Sequence, residues 1–195
     1  MNYELAQVKI LLKGYFKIVG LRQARISSTV TLIKDNKKNI LVDTGSLGTK
    51  TALLKALKNI GLTPNKIDYL IITHYHPDHV GNLNLFPKTT IIDIWGSQKN
   101  DVYQVDVNFY LGKKFNLSEN IKIIKTPGHT KDSLSVLVKT KEGIVAVCGD
   151  LFVKRKKEKV WIVDRKFLLK WNRAKILKMA DYVIPGHGDI FKVDR

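Results

Sequence analysis

Side chains with metal-binding chemistry crowd the stretch ITHYHPDHVGN, residues 72–82: His74, His76, Asp78 and His79. The apolar run YLIIT before them predicts a strand whose end presents ligands on a loop. Alternate residues of an extended segment point the same way, so His74 and His76 can share one metal ion. Pro77 then redirects the backbone, which leaves Asp78 and His79 to serve a second metal ion nearby. A helical zinc pair would instead be spaced as in HExxH, which this sequence lacks.

The other histidines also follow apolar runs. The chain has five histidines, and the last two are His129 in TPGHT and His187 in IPGHGD. If these were ordinary turn histidines, all five would fall at strand ends by accident, so we interpret them as ligands. Asp150 ends the run GIVAVCGD. Gly-Asp can end a strand simply to make a turn. We interpret Asp150 as a ligand because the set otherwise lacks a bridging carboxylate. Asp43 in LVDTG is typical of a buried carboxylate that supports a site from behind or forms a turn.

Apolar or alternating runs recur along the chain and predict strands: VKILL (8–12), TVTLI (29–33), NILVD (39–43), YLIIT (69–73), TTIIDI (89–94), IKII (121–124), SLSVLV (133–138) and GIVAVCGD (143–150). Residues 48–59 predict a helix that ends before Gly61, with one apolar stripe: Ala52, Leu53, Ala56 and Leu57. Residues 165–178 predict a second helix from the spacing of Phe167, Trp171, Ala174 and Leu177. These elements together predict two sheets packed face to face, with helices on their outer faces.

The composition limits the fold and the partners. A chain of 195 residues that is 44% hydrophobic buries one sizeable core, so we expect a single domain over residues 1–195. Residues 1–20 carry charged side chains among the apolar ones, which fits neither a signal peptide nor a membrane span. We therefore expect a soluble, cytoplasmic protein with no membrane partner. Cys148 is the only cysteine, which excludes an intramolecular disulfide and a thiolate zinc cluster, and we expect its thiol in the core.

The charge balance is strongly basic. Lysine and arginine number 34 against 17 acidic residues, which gives a net charge of +17 and a pI near 9.9. Such an excess attracts anions and suits a nucleic acid such as RNA or DNA. A lysine surplus is also typical of a genome-wide or thermophilic composition, so a functional basic surface and a compositional bias both fit.

The motif HYHPDH, followed by a distant His, Asp and His, resembles the HxHxDH signature of the metallo-β-lactamase superfamily. LVDTG, TPGHT, GD and PGHG resemble the accessory motifs of that superfamily in the same order and span residues 41–189. The resemblance implies an α/β fold, the four-layer αβ/βα sandwich of two mixed β-sheets with helices on the outer faces. It also implies a dinuclear site at one edge, in which the first metal is bound by His74, His76 and His129, the second by Asp78, His79 and His187, and Asp150 bridges them.

These ligands predict the metal and the chemistry. Imidazoles with carboxylates suit two Zn²⁺ ions, although iron or manganese can occupy the same ligands. Two zinc ions roughly 3.5–4 Å apart would lower the pKa of a bridging water toward about 7 and so provide hydroxide as the nucleophile of a hydrolase. As a catalytic residue, Asp78 could also accept a hydrogen bond from that hydroxide and orient it. A metal-bound water or a lysine could each serve as the general acid.

Further segments resemble a narrower branch of the superfamily. GYFKIVG, STVTLI, HVGNLNLFPK and IPGHGDIFKV are similar to the small metallo-β-lactamase-domain family that includes an animal histone pre-mRNA endonuclease. This resemblance implies a nuclease that cleaves phosphodiester bonds of single-stranded RNA or DNA. We see no inserted domain like that of β-CASP nucleases, no tRNA-gripping arm like that of tRNase Z, and no room after His187 for the helical domain of glyoxalase II. We therefore expect substrate to bind at the rim of the domain itself.

A basic run, VKRKKEKVW, follows Asp150 in the sequence, so we expect it near the metal-bearing edge. Five of its side chains are candidate phosphate contacts: Lys154, Arg155, Lys156, Lys157 and Lys159. Tyr75 or Trp161 could stack on a base, although Trp161 equally fits a core anchor and the run equally fits a solvated hairpin tip. Tyr15 and Phe16 fit a dimer contact, a substrate groove or simple packing, and the sequence leaves the oligomeric state open.

Other functions fit the same ligands. A small-molecule hydrolase of lactones, thioesters or β-lactams would keep its turnover after the charges of residues 154–159 are neutralised. A basic nucleic-acid-binding protein without catalysis would tolerate replacement of His76 and Asp78. An oxidoreductase of the flavodiiron or persulfide dioxygenase kind would contain iron.

Overall fold

A computed structural model describes residues 4–155 and 163–194 of the chain. The strands, in chain order, are β1 (Gln7–Leu12), β2 (Tyr15–Gly20), β3 (Gln23–Ser27), β4 (Val30–Asp35), β5 (Lys38–Val42), β6 (Tyr69–Ile71), β7 (Thr90–Ile92), β8 (Gly96–Lys99), β9 (Val102–Val105), β10 (Phe115–Asn116), β11 (Ile121–Lys125), β12 (Leu134–Thr140), β13 (Gly143–Val147), β14 (Tyr182–Ile184) and β15 (Phe191–Lys192). The helices are α1 (Lys50–Lys58), α2 (Pro77–Val80), α3 (Val107–Tyr110) and α4 (Lys166–Met179). Over the described residues, none of these helices is long and apolar enough to cross a membrane.

The strands form two mixed sheets and one separate hairpin. The first sheet has seven strands in the order β1-β4-β5-β6-β7-β8-β9, and the second has six in the order β10-β11-β12-β13-β14-β15. Strands β5, β6 and β7 run parallel to one another, as do β13 and β14. Strands β2 and β3 pair only with each other. Every strand predicted from the apolar runs forms, although several are shorter than the runs themselves.

Three buried clusters hold the layers together. The central cluster lies between the sheets and includes Ile71 of β6 and Val136 of β12. A second cluster fastens α1 to the outer face of the first sheet through Leu53 and Leu57. A third fastens α4 to the outer face of the second sheet through Leu169 and its neighbours. The layer order of helix, sheet, sheet and helix confirms the predicted four-layer αβ/βα sandwich.

Both predicted helices form, but the stripes assigned to them need correction. In α1 the stripe is right at Leu53 and Leu57, while Ala52 is exposed. In α4 most of the spaced residues are exposed, because Phe167, Trp171 and Ala174 face away from the protein, while Leu177 packs against the third cluster. The side chains of α4 that are buried against the second sheet are Leu169, Asn172 and Ile176. Helical spacing identifies a helix from either face, so it did not decide which face meets the sheet.

The β2–β3 hairpin was not predicted as a pair of strands, and it lies beside the candidate ligands. The backbone N–H of Gly14, just before β2, donates to the side chain of Thr29 over 3.1 Å. The ring of Phe16 lies edge-on to the ring of His187, with centroids 6.4 Å apart. This contact places Phe16 beside one of the candidate ligands.

Candidate metal centre

The candidate ligands meet at one edge because the strands that precede them end there. In the first sheet Asp43 follows β5 and His74 follows its parallel neighbour β6. In the second sheet Asp150 follows β13 and His187 follows its parallel neighbour β14. His129 lies in the turn between β11 and β12, which ends at the same edge. The predicted positions at strand ends therefore become neighbours in space.

The first group of ligand atoms lies within 4.8 Å of one another and comes from His74, His76, His129 and Asp150. Nδ1 of His76 lies 3.0 Å from Nε2 of His74 and 3.0 Å from Nε2 of His129. Nε2 of His129 lies 3.3 Å from Oδ2 of Asp150. Only His76 of this group is partly exposed, so the group opens to solvent on the side of that residue.

The second group consists of Asp78, His79 and His187, all of them buried. Oδ2 of Asp78 lies 3.6 Å from Nε2 of His79 and 3.5 Å from Nε2 of His187. Oδ1 of Asp150 lies 3.4 Å from Nε2 of His79 and 3.1 Å from Nε2 of His187. Oδ2 of Asp150, which faces His129, also lies 3.3 Å from Nε2 of His187, so Asp150 contacts both groups.

Further buried contacts fix the rings of the second group from behind. Oδ2 of Asp43 lies 2.7 Å from Nδ1 of His79. Asp43 also accepts hydrogen bonds from the backbone N–H and the hydroxyl of Thr73, at 2.8 and 2.7 Å. Nδ1 of His187 lies 2.9 Å from the backbone oxygen of Ser27. A proton on Nδ1 of each ring leaves Nε2 directed at the ligand groups, which is the usual arrangement of metal-binding histidines.

Electrostatics give two of these groups, Asp150 and His74, the charge that metal binding requires, and shift a third, His79, toward its protonated form. Burial would raise the pKa of Asp150, but His79 and His187 hold it well below its ordinary value, so the carboxylate is ionised. Burial lowers the pKa of His74 well below its ordinary value, and the nearby His79 lowers it further, so the His74 imidazole is neutral. Burial would also lower the pKa of His79, but Asp43 and Asp150 raise it well above its ordinary value.

Buried polar atoms at the centre show that the residues fit a cation. Among the described residues, Oδ2 of Asp78, Nε2 of His79 and Oδ1 of Asp150 are buried without a hydrogen-bond partner. Leaving such an atom unsatisfied costs about 1–3 kcal/mol, and more for a charged group. A divalent metal ion between these atoms would satisfy them, and nitrogen and oxygen are the ligands that zinc, iron and manganese accept.

Glycine at position 186 lets the two halves of the site come together. A Cβ atom at this position would collide with Oδ1 of Asp150. The backbone oxygen of Gly186 also accepts a hydrogen bond of 2.7 Å from the N–H of Thr29, which precedes β4. The close approach therefore joins the His187 turn to both Asp150 and the first sheet.

Comparison with known proteins assigns the chain to a family. A family model for the metallo-beta-lactamase superfamily matches residues 25–187. The metallo-beta-lactamase domain-containing protein 1 of Xenopus laevis is 39% identical over 194 residues, which cover 95% of this chain and 81% of that protein. The chain belongs to the metallo-beta-lactamase superfamily. The Homo sapiens protein of the same name is 33% identical to this superfamily member over 219 residues, which cover 96% of this chain and 82% of the human one.

Solved structures share the metallo-beta-lactamase fold of this chain. A Thermotoga maritima protein assigned to the metallo-beta-lactamases superposes with a TM-score of 0.76 at 22% identity, covering 97% of this chain and 100% of the other. An N-acyl homoserine lactone hydrolase superposes with a TM-score of 0.65 at 16% identity, covering 96% and 94%. At such identities the likeness concerns the fold alone. Together with the His and Asp groups, membership of the superfamily supports a metal-dependent hydrolase.

A tyrosine network beside the ligands of this metallo-beta-lactamase domain was only partly predicted. The hydroxyl of Tyr75 donates to Oδ2 of the buried Asp93 over 2.6 Å, and Tyr103 donates to Oδ1 of the same carboxylate. The backbone N–H of Trp95 donates to that carboxylate as well, at 2.9 Å. Burial and the bond to Asp93 raise the pKa of Tyr75, which keeps its hydroxyl protonated. An aspartate followed by a turn, as in DIWG, was the available signal for Asp93.

The basic run after Asp150 is only partly described. The guanidinium of Arg155 lies 3.1 Å from the carboxylate of Asp194, so it makes an exposed ion pair within the chain. Nζ of Lys154 lies 3.5 Å from the backbone oxygen of Phe16, which places it beside the β2–β3 hairpin. The other predicted contacts of the run, Lys156, Lys157, Lys159 and Trp161, lie outside the described residues.

Proposed function

We propose that this chain is a dinuclear metal-dependent hydrolase, with two Zn²⁺ as the first choice of metal, and that it cleaves phosphodiester bonds of single-stranded RNA or DNA. The observation that carries the proposal is the shared position of Asp150. Its carboxylate contacts both ligand groups: Oδ2 lies 3.3 Å from Nε2 of His129 and 3.3 Å from Nε2 of His187, and Oδ1 lies 3.1 Å from Nε2 of His187. One carboxylate between two sets of histidines is the arrangement that two neighbouring cations need.

The residues of the chain divide the work of such a centre. His74, His76 and His129 would hold one metal ion, Asp78, His79 and His187 the other, and Asp150 both. Bound metal ions would supply a Lewis acid and a water activated at neutral pH. Oδ2 of Asp78 lies 3.5 Å from Nε2 of His187 and, among the described residues, has no hydrogen-bond partner. This oxygen can accept a hydrogen bond from the attacking water and hold it in line with the scissile bond.

A nucleic-acid substrate is supported by charge and by rings beside the centre. The net charge of +17 favours a polyanion. Tyr75 is the residue between His74 and His76, and its ring is nearly parallel to that of Trp95, with centroids 6.3 Å apart. The two residues are 43% and 40% exposed. Half-exposed rings held in place by Asp93 are suited to stack on bases of an unpaired strand.

A small-molecule hydrolase of lactones, thioesters or β-lactams is the second candidate. The β2–β3 hairpin beside His187 favours it, because the tip of that hairpin exposes apolar side chains, Ile18, Val19 and Leu21. An apolar flap next to a metal centre would suit an acyl chain better than a phosphate backbone. The two candidates differ in whether the basic and aromatic side chains of the rim contribute to turnover.

Cleavage of labelled single-stranded RNA and DNA by the purified, zinc-loaded protein tests the proposal. Asp78→Ala should abolish cleavage, as should a chelator, whereas the exposed carboxylate variant Asp101→Ala should cleave like wild type. Cleavage that survives Asp78→Ala would come from a contaminant. If the zinc-loaded wild type cleaves neither strand but opens lactones or thioesters, the second candidate replaces the first. Hydrolysis seen only in a sample that contains iron would change the metal and keep the hydrolase.

A further inference from the structure

The outward face of α4 alternates lysine and aromatic side chains. Its exposed residues are Lys166, Phe167, Lys170, Trp171, Ala174 and Lys178. Phe167 is 79% exposed and Trp171 is 56% exposed. The helix sequence, KFLLKWNRAKILKM, contains no acidic residue. We refer to Lys166, Phe167, Lys170 and Trp171 as the α4 strip.

The core does not require these rings. The helix is anchored to the second sheet through the opposite face, where Leu169 and Ile176 are buried. Phe167 and Trp171 are four positions apart, so their side chains are neighbours on the helix surface. Large apolar side chains that stay together at a surface mark interaction sites more often than isolated ones do.

The strip adjoins the metal centre. The backbone N–H of Arg165, at the start of α4, donates to the oxygen of Gly128 over 3.0 Å. Asn172 donates from its side chain to the oxygen of Pro127 over 2.7 Å. Both bonds fasten α4 to the turn that carries His129, one of the candidate ligands. The first residues of the strip therefore lie close in space to the turn that carries His129.

We propose that the α4 strip binds single-stranded nucleic acid and leads it to the metal centre. Phe167 and Trp171 stack on bases, while Lys166 and Lys170 contact the phosphates between them. Nζ of Lys175 lies 5.4 Å from the ring centroid of Trp171, so this ring already makes a cation–π contact within the helix. The inference rests on the nuclease function proposed above, in which the bound strand is the substrate. It adds the surface that holds this strand.

The chemistry of the strip favours a nucleic acid over other occupants. A second copy that docks strip to strip would bring its own lysines against those of the strip, and the net charge of +17 on each copy opposes other pairings. A membrane-surface helix needs a free apolar face opposite its lysines, but the apolar face of α4, with Leu169 and Ile176, is buried in the protein. Alternating rings and cations on one exposed face match the alternating bases and phosphates of an unpaired strand.

Equilibrium binding of a labelled uridine-rich single-stranded RNA to zinc-loaded protein tests the strip, with cleavage blocked in all samples by Asp78→Asn. The double variant Phe167→Ala/Trp171→Ala should weaken binding by at least about tenfold, since a single base stack accounts for that factor. Phe167→Leu/Trp171→Leu should bind as weakly, because leucine is apolar but cannot stack. Both double variants should bind an abasic strand as Asp78→Asn alone does.

The charges of the strip are tested by the salt dependence of the same binding. Lys166→Gln/Lys170→Gln should reduce the slope of log affinity against log salt by about 1.4, the value for two phosphate contacts to a single strand. Lys50→Gln/Lys58→Gln removes the same charge from α1, on the opposite outer layer, and should leave the slope nearly unchanged.

Several outcomes would overturn the inference. Unchanged RNA binding by the alanine double variant would overturn the inference. Unchanged RNA binding by the leucine double variant would also overturn it, because it would show apolar docking without stacking. Ring variants that lose dimerisation or binding to phosphatidylserine vesicles while they keep RNA binding would assign the strip to another partner. Cleavage of the same RNA is measured in a separate experiment, with protein in which Asp78 is intact. RNA binding that depends on the rings, without cleavage, would support the α4 strip and contradict the nuclease function. Cleavage without ring-dependent binding would support the nuclease function and contradict the strip.

Discussion

Oδ2 of Asp43 lies 2.7 Å from Nδ1 of His79, and both side chains are buried. The same carboxylate accepts two hydrogen bonds from Thr73, the residue before His74. The buried Asp43, which follows β5, therefore orients both ends of the HYHPDH segment, although it is not itself one of the candidate ligands.

Asp43→Asn should weaken zinc binding by about 10–100-fold, the usual effect of losing such a supporting contact. The amide can present its N–H₂ to Nδ1 of His79, which would move the ring proton to Nε2 and block the metal-binding nitrogen. Competition with a chelating dye measures the affinity. Asp68→Asn is the control, because Asp68 bonds Lys38 at the surface, away from the ligands. An Asp43→Asn protein that binds zinc like the control would refute the positioning role.

Gly186→Ala should disrupt the site while the fold persists. A Cβ atom at this position would collide with Oδ1 of Asp150, so the carboxylate must rotate away from His187. We expect loss of at least one bound zinc ion with an unchanged far-UV circular dichroism spectrum. Gly48→Ala is the matched control, since a Cβ there meets nothing within 4 Å. Full zinc content in Gly186→Ala would show that the close approach is unnecessary.

The assignment of the buried face of α4 predicts opposite effects of two substitutions. Ile176→Ala removes a fully buried side chain and should lower the free energy of unfolding by about 2–5 kcal/mol. Trp171→Ala removes a larger side chain that is mostly exposed and should change it by about 0.5 kcal/mol or less. Urea unfolding of the chelator-treated protein measures both. Equal losses would show that Trp171 contributes to the packed face of α4.

The lone cysteine should be inert in the folded protein. Burial raises the pKa of the Cys148 thiol to about 12, and a hydrogen bond with Ser135 lowers it only in part. At pH 8 only about one thiol in ten thousand would be ionised, and the thiolate is the reactive form. A thiol-specific reagent should therefore label the protein quickly in denaturant and very slowly without it. Fast labelling under native conditions would place Cys148 outside the core.

Chemistry at strand ends was predictable, and contacts across the fold were not. The ligands from His74 to His187 could be named because each follows a recognisable apolar strand or turn. Asp93 could not be given a role, because its tyrosine partners join it only when Tyr75, β7 and β9 meet. Strand β8, GSQK, carries no large apolar side chain, and the edge strand β9, VYQV, has only four residues, all exposed, so neither gave a clear signal in the sequence.

The orientation of α4 shows the same limit. The sequence KFLLKWNRAKILKM has apolar residues on more than one face, so spacing alone predicted the helix but not its buried side. The contact that decides the orientation is the packing of Leu169 against Gly128, where a Cβ atom would leave no room for the helix. That contact joins residues far apart in the sequence and is visible only in the fold.

Metal analysis of the zinc-equilibrated protein, freed of loosely bound ions, tests the central claim most directly, because that claim is a two-metal centre shared by Asp150. We predict about two zinc ions per wild-type chain and per Asp101→Ala chain, and one or fewer per Asp150→Ala chain. A wild-type protein that holds at most one ion, or an Asp150→Ala protein that still holds two, would contradict the shared centre.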